Sequence, residues 1–212
     1  MITISAFRSV PPFAQGLVRD LRVRWALEEA GLPYRARLID RADQSSPAYR
    51  ALQPFGQVPI YEEDGLELFE SGSIVLHIGE RSEALLPRES ASRARAITWL
   101  FAALNTIEVA VMQLAEIDAF HSGEEWARMR RPSAEERVKL RLSELTSRLG
   151  THDYLDGNFS AGDLMMTTVL RILRHTKLVE PQPALAAYVQ RCEARPAFQR
   201  ALAAQLSDFV PA

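Results

Sequence analysis

Three places in the 212-residue chain carry residue types at spacings that could do chemistry. Val58-Pro59 opens a β-type run, a position where a proline's missing N–H can be tolerated. A free peptide edge there could receive an extended peptide as an added strand. Glu70-Ser71 stands where a strand hands over to a helix. Helix-start N–H groups and a hydroxyl favour a carboxylate, while the Glu70 carboxylate could pair with an ammonium. The pair therefore suits a ligand that carries both groups on one carbon, although it also reads as a solvated charge beside an ordinary N-cap. Ser160 and Asp163 form the third place. With Phe159 before them and Leu164 after, they match a capping box and hydrophobic staple, which is folding chemistry rather than catalysis.

The elements that must position these residues come in two kinds. Ile2 to Ala6 alternates apolar and hydroxyl residues, the pattern of a half-buried strand. Val18, Leu21, Trp25 and Ala26 follow helical spacing up to Ala30, and Gly31 with Pro33 gives a stop signal. Tyr34 to Ile39 alternates again. Ser46-Pro47 offers an N-cap and a first-turn proline. Val58 to Glu62 and Leu66 to Phe69 flank Asp64-Gly65, a hairpin turn signal. A short helix is predicted from Ser71 to about Glu80, giving the order β-α-β-α-β-β-α. Residues 81–90 read as a linker. Beyond it the pattern is helical throughout: about Ala91 to Phe120, a helix opened by Pro132 and the Ser133-to-Glu136 capping box and ending near Gly150, a third from Ser160, and two flanking Pro196. The fold class predicted is an α/β domain over residues 1–83 followed by an all-α helical bundle over 88–212.

Composition narrows the function classes. An apolar share of 47% and a charged share of 25% exclude disordered and fibrous architectures. Up to Glu83 there are nine Lys and Arg against twelve Asp and Glu, and beyond it sixteen against fifteen. Neither part has the basic excess of a nucleic-acid binder. The longest uninterrupted apolar runs are six residues, Trp99 to Leu104 and Ala184 to Val189, so no membrane span is expected. The N-terminus lacks a secretory pattern. A single cysteine, Cys192, leaves no internal disulfide or cysteine-based zinc cage and fits a reducing compartment, most simply the cytoplasm. His77, His121, His152 and His175 are scattered without metal-ligand spacing, and no metal is expected.

The element order and four motifs together resemble the cytosolic glutathione transferase family in its bacterial form, over the whole chain. The motifs are the run from Leu21 to Tyr34, Gln53-Pro54-Phe55-Gly56-Gln57-Val58-Pro59, Glu70-Ser71-Gly72-Ser73-Ile74, and Phe159-Ser160-Ala161-Gly162-Asp163. The resemblance implies a thioredoxin-like first domain, a cis Val58-Pro59 bond and outward-facing N–H and C=O groups on Val58 for the tripeptide. It implies that Glu70 and Ser71 hold the γ-glutamyl end and that Gln57 meets the glycyl side. It also implies a homodimer, with glutathione as co-substrate and no metal.

Transferases of this kind ionise the bound thiol through a Tyr or Ser hydroxyl near the end of the first strand. No cysteine stands in that region here, so cysteine-dependent reduction is not expected. Reading forward from the strand, Phe7-Arg8-Ser9 approaches the family serine, which makes Ser9 the candidate. Reading backward from Arg22-Val23, the equivalent position falls at Leu17 or Val18, neither of which can donate. The readings differ by the segment Val10 to Gly16, and Gln15, Arg19 or a backbone N–H are alternatives for holding the sulfur. Phe13, Phe101, Met112 and Phe120 could supply apolar wall for a small hydrophobic electrophile. The function expected is glutathione conjugation of such electrophiles, or their activation through the same thiolate as in a glutathione-dependent isomerase or dehalogenase. A non-catalytic ligand-binding or interaction module of the same fold is the alternative.

Overall fold

The structure, a computed structural model, describes residues 1–209. The chain forms two compact units: Met1–Pro87 together with the chain from Arg195 onward, and Arg88–Ala194. The first contains β1 (Ile2–Phe7), α1 (Asp20–Ala30), β2 (Tyr34–Ile39), α2 (Arg41–Ser45), α3 (Pro47–Leu52), β3 (Tyr61–Glu63), β4 (Leu66–Leu68) and α4 (Ser71–Gly79). Its sheet runs β2-β1-β3-β4, with β1 and β2 parallel and β3 antiparallel to β1. This is the thioredoxin-like βαβαββα arrangement. Local chemistry explains its corners. Asp64 (φ 49°) and Gly65 (φ 86°) make the β3–β4 turn, where both central residues need a positive φ. Gly31 ends α1 in the left-handed region at φ 66°. Ser46 Oγ accepts the Tyr49 N–H at 3.2 Å and starts α3 on Pro47.

Helix α1 departs from an amphipathic pattern, because every residue from Asp20 to Leu27 is buried, including Arg22 and Arg24. It lies between α4 and a last helix, α10 (Pro196–Ser207), within the same unit. Trp25 meets Phe198 edge-on at 4.8 Å between centroids. Arg195 grips Glu29 through two bonds of 2.6 and 2.8 Å. Deeper in, Gln205 Nε2 donates to Asp20 Oδ1 at 2.7 Å, and Arg24 bonds both Asp20 (2.7 Å) and Asp208 (2.5 Å). The expected boundaries of 1–83 and 88–212 thus differ from the observed units at the C-terminal end. Pairings more than a hundred residues apart in sequence bring α10 to α1, and the last three residues of the 88–212 range lie outside the described residues.

Asp20 gives this contact a pH dependence. Burial pushes its carboxyl up to about 6, with the Arg24 guanidinium opposing the rise. A native value above the ordinary 3.8 means the native state binds the proton more tightly than the unfolded chain. The associated stability is present in full below the unfolded value and is lost as pH rises through about 6. The size of the effect is up to about 3 kcal/mol. Urea unfolding of wild type and Asp20→Asn should check this. Raising the pH from about 4 to about 8 should shift relative stability towards the variant by that order. Parallel curves would reject it.

The second unit contains α5 (Ser90–Ala102), α6 (Glu108–Phe120), α7 (Glu125–Leu149), α8 (Ala161–Leu170) and α9 (Pro183–Glu193). A π-turn at Ala103–Ile107 joins α5 to α6, so the long predicted helix is continuous but carries an extra-wide turn. Over Ser90–Phe120 it is long and apolar enough, by length and composition, to cross a membrane. A core helix of a globular domain passes the same test, so this does not make the helix a membrane span. Leu100, Ala103, Ile107, Val111 and Leu114 form its buried stripe. All ten residues of α8 are buried, and α5 and α9 pack on it.

Helix α7 corrects a second expectation. It begins at Glu125, so Pro132 lies inside it rather than opening it. Ser133 does not cap; its Oγ bonds the Arg130 carbonyl at 2.9 Å. The buried stripe Ala127, Ala134, Val138, Leu142, Leu145 and Leu149 runs on both sides of the proline. Burial along that stripe outweighs the local cost of one broken helical bond. Across from it, Arg131 holds Asp118 of α6 through two bonds of 2.7 and 3.1 Å.

Candidate glutathione site

The site residues predicted in the first unit gather around the ends of β1, β3 and α4. The Val58-Pro59 peptide is cis. Val58 is buried with Ile39, Tyr49 and Ile60, and Phe7 and Val18 pack against this cluster. The main-chain N–H and C=O of Val58 have no hydrogen-bond partner among the described residues, although both neighbours are tied down. Gln57 is exposed, and its C=O accepts from the Tyr49 hydroxyl at 2.7 Å.

Glu70 is the N-cap of α4, but its side chain caps nothing. It is exposed and has φ 69° and ψ 112°, a conformation a side-chain-bearing residue rarely adopts. Such a backbone costs about 1–3 kcal/mol and persists where the surroundings impose it, commonly at binding sites. Ser71 is therefore the first helical residue rather than the cap, and its hydroxyl is left for other work. The N–H groups of Ser71, Gly72 and Ser73 carry no hydrogen bond among the described residues, as expected for an uncapped first turn. Buried Arg22 of α1 donates Nη1 to Ser71 Oγ at 3.2 Å. Sequence reading missed Arg22. Its only signal was a cation between apolar Leu21 and Val23 on a helix that also carries Asp20, Arg24, Glu28 and Glu29, which without the fold reads as one more solvated charge. A cation, a hydroxyl and free N–H groups at one helix start make a receptor for a carboxylate, with the Glu70 carboxylate close enough in sequence to answer an ammonium.

Ser9 lies two residues beyond β1, exposed and with no hydrogen bond among the described residues. Phe7 places this end of β1 against the Val58 cluster. From the other direction, Val18 packs on the same cluster and fills space there. Gln15 follows the Pro12–Ala14 turn, and Arg19 sits at the start of α1. In that turn Phe13 is 51% exposed. Phe101, Met112 and Phe120 are exposed on α5 and α6 of the second unit.

A cleft of about 480 Å³ elsewhere on the sheet is lined by Thr3, Arg35, Arg37, Glu62 and Glu67 and includes none of these residues. Its cations are already engaged, Arg35 with Thr3 at 2.8 Å and Arg37 with Glu62 at 2.8 Å. Among the described residues no cluster of three or more His, Cys, Asp or Glu could hold a metal ion. Ser160 and Asp163 lie in the second unit at the start of α8, and Asp163 is fully buried.

Comparison with known proteins identifies the family. Residues 21–86 match the model for the glutathione S-transferase N-terminal domain, and residues 123–196 match that for the C-terminal domain. Glutathione S-transferase 4 of Zea mays is 30% identical over 200 residues, covering 90% of this chain and 87% of the relative. A disulfide-bond oxidoreductase of Escherichia coli is 29% identical over 86% of this chain and 89% of its own length. Among solved structures, a glutathione transferase of Burkholderia graminis with two glutathione molecules bound per subunit superposes with a TM-score of 0.82. It is 26% identical, and the match covers 95% of this chain and 87% of that one. A theta-class enzyme of Xanthomonas axonopodis pv. citri with glutathione bound gives a TM-score of 0.79 at 27% identity, over 95% of this chain and 96% of that one. The chain belongs to the glutathione S-transferase family, with the N-terminal and C-terminal domains of that family in order.

Proposed function

We propose that the protein is a glutathione transferase that holds glutathione on the domain of residues 1–83 and directs its thiolate at small hydrophobic electrophiles. The observation that carries this reading is one unit presenting both halves of a tripeptide receptor. Val58 has an unpaired peptide edge, and α4 starts with free N–H groups beside Ser71, Arg22 and Glu70. In this reading Glu70 and Ser71 bind the γ-glutamyl end, Val58 pairs with the cysteinyl main chain, and exposed Gln57 reaches the glycyl end. Exposed Phe13 on the same unit supports an apolar second substrate. A cytoplasmic homodimer is the working form. The relatives carrying transferase names do not favour the non-catalytic alternative.

The chemistry needs a thiolate. A free thiol with pKa near 8.5 is only a few per cent ionised at about pH 7. Lowering that value by about two units takes about 2.7 kcal/mol of preferential stabilisation of the anion. The proton leaves to solvent, the sulfur lone pair forms the new bond to the electrophilic carbon, and a leaving group or π-electron pair departs from it. In this reading Ser9, two residues beyond β1, donates a hydrogen bond to that sulfur, with Gln15, Arg19 or a backbone N–H as the alternatives.

Titrating glutathione while following heat and thiolate absorbance across pH tests this assignment. Ser9→Ala should raise the bound thiol pKa by about 1–2 units and lower turnover at about pH 6.5 by 10–100-fold, with little loss of affinity. A depressed pKa indifferent to Ser9 moves the role to Gln15, Arg19 or a backbone N–H. No binding at millimolar glutathione would reject the function itself.

A further inference from the structure

A buried chain of hydrogen bonds runs beneath the Val58-Pro59 segment. The Ile60 N–H donates to Ser5 Oγ at 2.8 Å, Ser5 Oγ lies 2.9 Å from the Tyr49 hydroxyl, and that hydroxyl donates to the Gln57 carbonyl at 2.7 Å. Its two ends set its direction. An amide N–H only donates and a carbonyl only accepts, so Ser5 must donate to Tyr49 and Tyr49 to Gln57. Ser5 is 0% and Tyr49 6% exposed, which leaves these bonds out of competition with bulk water. Burial also pushes the Tyr49 phenol above its ordinary value, although Ser5 opposes this, so the phenol stays a donor.

The consequence falls on Val58. On one side of it the Gln57 carbonyl is held by α3 through Tyr49. On the other, Ile60 is held by β1 twice, through Ser5 Oγ and through the Ser5 N–H, which donates to the Ile60 carbonyl at 2.9 Å. Between these anchors the Val58 N–H and C=O have no protein partner among the described residues. Side-chain packing in the surrounding cluster is non-directional and does not fix where a peptide edge points. The hydroxyl pair supplies that direction, and an oriented edge binds a partner strand without first losing conformational freedom.

We propose that Ser5 and Tyr49 are positioning residues that hold the Val58 peptide edge in register for the main chain of bound glutathione. The inference rests on the glutathione reading above. Their contribution is to affinity for the tripeptide, separate from the hydroxyl that ionises the thiol.

Full-length wild type, Tyr49→Phe, Ser5→Ala and Tyr61→Phe test it by calorimetric titration with glutathione and steady-state kinetics against an aryl halide. Tyr61 serves as the control: it is just as buried, but its hydroxyl bonds Glu63 at 2.6 Å, not Gln57. Tyr49→Phe keeps the ring and removes only the hydroxyl. It should raise both Kd and KM for glutathione about tenfold. Saturated kcat, KM for the aryl halide and the bound thiol pKa should stay within about twofold of wild type, because the thiol donor is untouched. Ser5→Ala breaks the same chain from its other end and should show the same split, which keeps the test open if one variant folds poorly. Tyr61→Phe should leave glutathione affinity unchanged. Wild type that binds glutathione alongside a folded Tyr49→Phe of equal affinity would overturn the positioning role alone. So would a loss confined to kcat. Wild type that fails to bind glutathione would overturn the functional reading, and this inference with it.

Discussion

Ser71→Ala should raise the glutathione dissociation constant by about 10–100-fold while costing only about 1–2 kcal/mol of stability, the loss of one acceptor for buried Arg22. Both halves of that expectation follow from Ser71 being the first residue of α4 rather than its cap. Alanine is well tolerated there, so the helix survives. The hydroxyl is buried, accepts from Arg22 at 3.2 Å, and stands among N–H groups with no other partner among the described residues. A hydrogen bond to a charged ligand group is worth about 1.5–3 kcal/mol, which brackets the expected loss. Glu70→Gln should cost a comparable factor by removing the partner for the ligand's ammonium, and should leave the strained backbone in place. Calorimetric titration of both variants is the measurement. Affinity within about threefold of wild type, a change of less than about 1 kcal/mol, would remove these residues from the site.

Asp163→Ala is expected to be the most destabilising single substitution among those considered, by about 3–6 kcal/mol. The Asp163 carboxylate is fully buried and accepts from the Leu155 N–H (2.9 Å), the Ser160 N–H (3.0 Å), the Ser160 hydroxyl (3.1 Å) and the Tyr188 hydroxyl (3.1 Å). Burial pushes the carboxyl above its ordinary value even so, with those donors pulling it back. Alanine would strand several buried donors, each costing about 1–3 kcal/mol. The damage would fall on α8, the most buried helix of its unit. Ser160→Ala, which removes mainly the cap to the Gly162 N–H at 3.2 Å, should cost only about 1 kcal/mol. Thermal and urea denaturation of the two variants should separate them clearly. Equal effects would mean that Asp163 acts only as a helix cap. The sequence pattern alone suggests that equality, since a capping box gives no sign of how deeply it is buried.

That contrast shows where sequence reading stops. β1, β2, the Asp64-Gly65 hairpin, the Ser46-Pro47 helix start and the Ser160–Asp163 box were all legible, because each depends on residues within a few positions of one another. Val58, Glu70 and Ser71 were singled out as a set by the motifs that carry the family resemblance, and the fold adds the unpaired edge of Val58 and the position of Ser71 in the first turn of α4. Ser9 could be placed only relative to β1, since the segment to Gly16 has no periodic pattern to anchor it. Pro132 misled because a local breaker was weighed without the buried stripe on both sides of it.

By itself, then, the sequence determined the order of strands and helices, the turns and caps that bound them, and the family to which the chain belongs. The elements and their turns follow from short-range sterics, hydrogen-bonding chemistry and hydrophobic period, and the family from the resemblance that the four motifs carry. Only the tertiary structure decided that α10 joins the first unit, that Arg22 faces Ser71, and that Ser5 and Tyr49 tie down the segment around Val58. Each of these is a directional contact between residues far apart in the chain: 184 positions for Arg24 and Asp208, 49 for Arg22 and Ser71, 44 for Ser5 and Tyr49. A charged or hydroxyl side chain reads as solvated until the fold removes its water, and from then on its stability depends on the partner placed beside it.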